Sequence, residues 1–307
     1  MSTQSPGKII QIYLELAKSR LTGLVALTAV GGFFLASRND VLDWSLLFWT
    51  TLGTTLASGG ANGLNQWWEV FPDSLMKRTR NRPVPSRRIS RAHAFIWALT
   101  TALAGILMLA VFVNTITALL GVLTVFLYVL VYTPLKKRTS LCTLVGAVCG
   151  AIPPLMGWTG ATNELGAGGW ILAAILFVWQ IPHFLALAWM YRQDYSDGGF
   201  RMLPAIDPNG ALTCTAIILY SCALLPVGAC LSLVGVTGWF YTLGSIFLGL
   251  MMLSPGLKFS QTRNDREARR LFFASLAYLS LLIGFIALDQ AIPPLSSQAV
   301  ATVVIEH

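Results

Sequence analysis

The sequence predicts an all-α, polytopic membrane protein with nine transmembrane helices, on three observations. Of 307 residues, 55% are hydrophobic and only 11% charged, whereas about a quarter of the residues in a soluble domain carry charge. The mean hydropathy is correspondingly high, +0.66. Apolar runs of about 17 to 25 residues, the length a helix needs to cross the hydrocarbon core, recur along the whole chain, and the cations gather in alternate connections between them.

In order, the runs fall at 21–37, 44–64, 93–113, 115–134, 143–160, 168–190, 211–235, 238–258 and 271–289. Each is expected to be helical, because lipid leaves every backbone donor and acceptor to be satisfied within the segment. Residues up to about 20 read as a short cytoplasmic N-terminus and those from about 290 to 307 as a short tail. A single transmembrane domain therefore fills 1–307, with no separate soluble domain.

With the N-terminus inside, all but one of the 21 Lys and Arg residues fall on the same side, Arg38 being the exception. This is the positive-inside pattern, and it places the C-terminus opposite. The formal net charge of +8 thus belongs to one face and predicts anionic lipid or an anionic substrate there, not nucleic acid. The first twenty residues show neither a short cleavable apolar core nor a long Arg/Ser-rich presequence, which predicts a bacterial plasma membrane. Cys142, Cys149, Cys214, Cys222 and Cys230 form no C-x-x-C pair and read as packing residues.

Two polar clusters interrupt the apolar pattern. The first closes the second span: Asn65, Glu69 and Asp73 recur at i, i+4 and i+8, one face of a continuous helix. Pro72 clashes with the carbonyl of Trp68 and predicts a kink or end near Phe71. Two carboxylates and an amide oxygen suit Mg²⁺, which takes one or two carboxylates together with phosphate oxygens. Lys77, Arg78, Arg80 and Arg82 suit the remainder of a polyphosphate. A polar loop whose cations only anchor topology explains the composition of 65–91 as well.

The second cluster, from Trp179 to Pro204, closes the sixth span, so both clusters face the same side. It carries His183, Tyr191, Asp194 and Asp197. Acid-bearing helix ends four spans apart predict an internal repeat whose halves share one site. The combined chemistry is a diphosphate held by Mg²⁺ at the membrane surface, its hydrophobic tail inside the bundle. His183 lies about two turns inside its span, where an ionisable group tends to mark function.

The run Asn65-x-x-x-Glu69-x-x-x-Asp73 followed by Met76-Lys-Arg-Thr-Arg-Asn-Arg-Pro83 resembles the first motif of the UbiA superfamily of intramembrane prenyltransferases. Within it, the runs from Tyr132 to Ser140, Gly146 to Trp158 and Gln180 to Trp189, continuing to Asp194-Tyr and Gly198-Gly, are similar to the protohaem IX farnesyltransferase branch. Two departures stand out. Glu69 occupies a position that is usually Asp in the superfamily, and Asp194 and Asp197 are three apart where two aspartates four apart are common.

The resemblance implies a UbiA-like bundle and transfer of a farnesyl group from farnesyl diphosphate to the 2-vinyl group of haem B. Water adds, giving haem O and diphosphate. It implies Mg²⁺ as cofactor, with Asn65, Glu69, Asp73 and Asp194 as the catalytic ligands and Asp197 either a ligand or a turn residue before Gly198. Lys136, Lys137 and Arg138 are expected to bind propionates or diphosphate, and His183 to grip haem as axial ligand or propionate partner. Trp67, Trp68, Phe184, Trp189 and Tyr191 are candidates to stabilise an allylic cation. Expected partners are membrane lipid and, as recipient of the product, a haem A synthase or terminal oxidase. The alternatives are a prenyltransferase for an aromatic or quinone precursor, an ion-coupled transporter and a non-catalytic haem-binding assembly protein.

Overall fold

The computed structural model describes residues 6–38 and 41–291; the expected tail lies almost wholly outside them. Every element among the described residues is helical: α1 (Pro6–Leu16), α2 (Ser19–Ala36), α3 (Trp44–Trp68), α4 (Val70–Leu75), α5 (Arg91–Phe112), α6 (Thr115–Phe126), α7 (Thr133–Leu135), α8 (Cys142–Thr162), α9 (Ala167–Met190), α10 (Arg192–Asp197), α11 (Leu203–Ile206), α12 (Ala211–Leu233), α13 (Trp239–Thr262) and α14 (Asp265–Ala291). A π-helical segment, Leu127–Tyr132, joins α6 to α7.

All nine expected spans become helices. Eight units, namely α2, α5, α6 through α7, α8, α9, α12, α13 and α14, are long and apolar enough to cross a membrane. The ninth, α3, has 25 residues and so a length of roughly 38 Å, but its composition is diluted by polar residues. Thr50, Thr54, Asn62, Asn65 and Gln66 are all buried, so the bundle covers what lipid would not tolerate.

The expected short N-terminus, residues up to about 20, contains helix α1. Ile12 and Leu16, one turn apart, are buried, while Ile9, Ile10 and Leu14 are exposed, the two-sided pattern of a helix lying at the interface. Gln66 Nε2 donates to the carbonyls of Glu15 and Leu16 at 2.8 and 2.9 Å, satisfying the C-terminal acceptors that α1 leaves open.

The long helices pack in a closed ring, each against the next, with α14 returning to α2. Across the ring, α2 and α8 approach backbone to backbone: a Cβ added to Gly157 would lie 1.9 Å from the Ala29 carbonyl oxygen, and one added to Gly32 2.0 Å from that of Pro154. Only glycine permits this crossing. Arg38, the exception in the expected charge pattern, hydrogen-bonds the Val236 carbonyl and pairs with Asp289 at 3.3 Å. Asp289 in turn accepts from the backbone N–H groups of Gly238 and Tyr241 at 2.6 and 3.0 Å, so this exception to the charge pattern ties α2, α13 and α14 together.

The expected internal repeat has a local counterpart. Helices α3 and α9, of 25 and 24 residues, each end in a single non-helical residue, Glu69 or Tyr191, followed by a six-residue helix that carries Asp73 or Asp194.

Candidate active site

The break in the first motif falls at Glu69, two residues before the position that Pro72 suggested. It is shallow, because Glu69 N donates to the Asn65 carbonyl at 2.9 Å and Asp73 N to that of Glu69 at 2.8 Å. Pro72 sits inside the first turn of α4, where its missing N–H leaves no helical bond unmade. The helical spacing therefore persists, and Asn65, Glu69 and Asp73 are all buried, at 0, 4 and 0% exposure.

Buried carboxylates require partners, and each has one. Arg82 Nη1 donates to both oxygens of Asp73 at 2.9 and 2.7 Å, and Lys136 Nζ to both oxygens of Glu69 at 2.9 and 3.1 Å. Burial works against the charge of Lys136, but the adjoining Glu69 carboxylate outweighs it and holds the ammonium above its ordinary value. Asn65 is bound differently. Its Oδ1 accepts from Lys18 Nζ at 2.7 Å, and its Nδ2 donates to Thr133 Oγ1 at 2.9 Å.

The second motif reaches this cluster through its loop. Asp194 accepts from the backbone N–H of Arg78 at 3.2 Å. The Arg78 guanidinium lies over the rings of Tyr191 and Tyr195, at 4.7 and 5.5 Å from their centroids. Lys136 closes the other side, its carbonyl accepting from Arg201 N at 2.7 Å. Asp197 is exposed and, among the described residues, its side chain is bound only to Gln193 Nε2 at 2.8 Å. Lys77 and Arg80 are exposed. Lys137 and Arg138 line a second cavity of about 630 Å³ beside Glu69, Phe71 and Phe200. Among the described residues, no three His, Cys, Asp or Glu side chains converge on one metal-sized point.

A chamber of about 1150 Å³, including its open mouth, lies inside the bundle, walled by α2, α3, α6, α8, α9 and α14. Its lining is apolar, as at Leu24, Val25, Ala57, Leu176 and Leu279. Two glycines one turn apart on α8 shape its wall: a Cβ on Gly146 would meet the Tyr132 ring at 2.9 Å, and one on Gly150 would meet Gln180 Oε1 at 2.0 Å.

Hydrogen bonds connect this chamber to the acid–base cluster. Asn62 and Tyr128 line the chamber. Tyr128 O–H donates to Asn62 Oδ1 at 3.1 Å and accepts from Lys18 Nζ at 3.3 Å. Both Tyr128 and Tyr132 belong to the π-helical segment, the kind of irregularity that recurs at functional sites, and their rings stack at 5.4 Å. Lys136 Nζ lies 4.6 Å from the Tyr132 centroid, so that face already receives a cation. The sequence reading nominated neither tyrosine, nor Lys18, which it used only as a topological anchor.

His183 lines the chamber between the rings of Trp179 and Phe272, at 5.1 and 4.8 Å. Ser275 Oγ donates to the Phe272 carbonyl at 2.6 Å and lies 2.7 Å from His183 Nδ1. Assigning the serine proton to the Phe272 carbonyl places the hydrogen on Nδ1 and leaves Nε2 its lone pair. Of the aromatic candidates, Phe184 lines the chamber. Trp189 instead packs on Phe259, Trp67 sits against Phe95 and Arg91, and Trp68 and Tyr191 are exposed, because the helix ends that carry them have already left the bundle's interior.

A bundle that keeps a greasy chamber within the bilayer and charged oxygen and nitrogen groups at its rim suits an amphiphile with an anionic head; the class it defines is an intramembrane prenyltransferase. The chain belongs to the UbiA prenyltransferase family, whose model matches residues 24–286. It is 41% identical over 281 residues to the protoheme IX farnesyltransferase of Opitutus terrae, covering 91% of this chain and 94% of that one. It is 42% identical over 277 residues to the enzyme of the same name from Salinibacter ruber, covering 90% and 98%. Among solved structures, a digeranylgeranylglyceryl phosphate synthase superposes with a TM-score of 0.76 at 12% identity, over 92% of this chain and 98% of that one. A UbiA homolog from Archaeoglobus fulgidus bound to DMAPP and Mg²⁺ superposes with 0.67 at 12% identity, over 92% and 99%.

Proposed function

We propose that this protein transfers the farnesyl group of farnesyl diphosphate to the 2-vinyl group of protohaem IX, with addition of water, giving haem O and diphosphate. The observation that carries the reading is the apolar chamber, joined by hydrogen bonds through Tyr128 and Lys18 to the paired acids and bases at its rim. The protoheme IX farnesyltransferases at 41–42% identity supply the acceptor. His183 supports it from within, since its Nε2 lone pair is available to a haem iron, a feature a quinone precursor does not need. The distribution of cations puts the site on the cytoplasmic side of its membrane.

The donors present fit Mg²⁺: Glu69 and Asp73 offer hard carboxylate oxygens already neutralised by a cation each, and Asp194 adjoins them through Arg78. When bound, Mg²⁺ offsets the charge growing on the departing diphosphate. Arg82 and Lys136, which hold the carboxylates here, are then available to the diphosphate oxygens. The C1–O bond of the farnesyl group breaks, and its electron pair leaves with diphosphate. The Tyr132 and Tyr128 faces stabilise the allylic cation, and the apolar chamber wall excludes water from it. The vinyl π electrons then form the new C–C bond, and a water molecule captures the resulting cation on the porphyrin side and releases a proton.

Purified protein incubated with haem B, farnesyl diphosphate and Mg²⁺ is expected to form a hydroxyethylfarnesyl haem, detected by mass spectrometry. No such product, or farnesylation of a phenolic acceptor instead, rejects the reading. His183→Ala is expected to shift the Soret band of the bound haem and weaken its binding about tenfold, as loss of one ligand contact implies. An unchanged spectrum returns His183 to a packing role with Ser275.

A further inference from the structure

Lys18 sits where a lysine is locally wrong in two ways. Its backbone is left-handed, φ 50° and ψ 57°, a conformation that a residue with a Cβ rarely adopts. It occupies the N-cap of α2 without making a side-chain cap bond, where Ser, Asn or Asp is preferred and the helix dipole disfavours a cation. Such conflicts between local preference and native structure concentrate at functional positions.

What Lys18 gains locally is small. Arg82 and Lys136 each hold a carboxylate, whereas among the described residues Lys18 Nζ donates only to neutral acceptors, Asn65 Oδ1 at 2.7 Å and the Tyr128 hydroxyl at 3.3 Å. An ammonium has three donors, so one remains for an anion. Asn65, expected from the sequence to offer its amide oxygen to a metal, spends that oxygen on Lys18 and fixes its own orientation through Thr133.

We infer that Lys18 is a diphosphate-binding residue, positioned by Asn65 and Tyr128 at the boundary between the acid–base cluster and the chamber, where the prenyl C1–O bond lies. Three cations from three separate elements then grip the leaving group: Arg82 after α4, Lys136 after α7 and Lys18 before α2. The role of Asn65 is to aim an ammonium, while the metal is left to the carboxylates. The inference rests on the diphosphate reading of the site.

The test uses Lys18→Met, which keeps the stem and removes the charge, and Lys18→Arg. Calorimetric affinity for inorganic diphosphate with Mg²⁺ is measured beside haem affinity by absorbance. Lys18→Met is expected to weaken diphosphate binding at least about tenfold, the scale of one hydrogen bond to a charged group, with haem binding unchanged and Lys18→Arg within about threefold of wild type. Wild-type diphosphate affinity in Lys18→Met overturns the inference, as does an equal loss of both affinities, which marks a structural residue. If Lys18→Met fails to fold, Lys18→Gln is read in the same way. A wild-type protein that binds no diphosphate rejects the functional reading itself, a result distinct from any of these.

Discussion

Asp73→Asn is expected to lower turnover about a hundredfold or more, the scale of removing one group that stabilises transition-state charge, and Glu69→Gln to do the same. Each exchange keeps the shape and removes a charge from a buried side chain, 0 and 4% exposed. Each also deprives a cation of its partner. Losing one member of a buried pair costs about 3–5 kcal/mol when the other is left sealed off, but the side chains of Arg82 and Lys136 retain 24 and 12% exposure and can turn to water. Both variants should therefore insert and melt cooperatively, with diphosphate binding no longer enhanced by Mg²⁺. Steady-state rates beside a thermal melt decide the matter: near-normal turnover in either variant removes that carboxylate from the metal site.

The spans and the acid-bearing helix ends were legible because both are one-dimensional properties: an apolar run of sufficient length, and carboxylates at helical spacing. Even α3 was found from its run at 44–64, although Thr50, Thr54 and Asn62 dilute it, because no charged residue interrupts it. What the sequence concealed depends on three dimensions. Lys18 looks like any cation near a helix start until the left-handed turn aims it at Asn65, 47 positions away. Tyr128 and Tyr132 stand at the spacing of an ordinary helix, and nothing in Leu127–Tyr132 announces the π-helical segment that sets them at the chamber. Pro72 pointed to a break that falls instead at Glu69, since a proline within the first turn breaks no bond. Conversely, the tryptophans and Tyr191 were chosen for their nearness in sequence to the motifs, and nearness in sequence does not put a ring into the chamber.

Gly157→Val is expected to be the most damaging substitution away from the acids. Its Cβ would fall 1.9 Å from the Ala29 carbonyl oxygen and 2.8 Å from Phe33 N, so the obstacle is backbone on a neighbouring helix and no rotamer change relieves it. Helices α2 and α8 must part, and the reciprocal contact of Gly32 with Pro154 is lost with it. Overpacking costs about 1–3 kcal/mol where side chains can adjust; here they cannot, and the loss should reach at least that upper figure. Because both helices wall the chamber, their separation also admits water beside the allylic cation, so surviving protein should divert farnesyl diphosphate to hydrolysis. Gly23→Ala on the same α2 is the control: an added Cβ there meets nothing within 4 Å, and helix propensity favours the alanine by up to about 1 kcal/mol. Thermal melting in detergent with measurement of free farnesol separates the two. A Gly157→Val protein as stable as Gly23→Ala, and as tightly coupled, means that the α2–α8 crossing yields readily and that the chamber's dryness depends on some other contact.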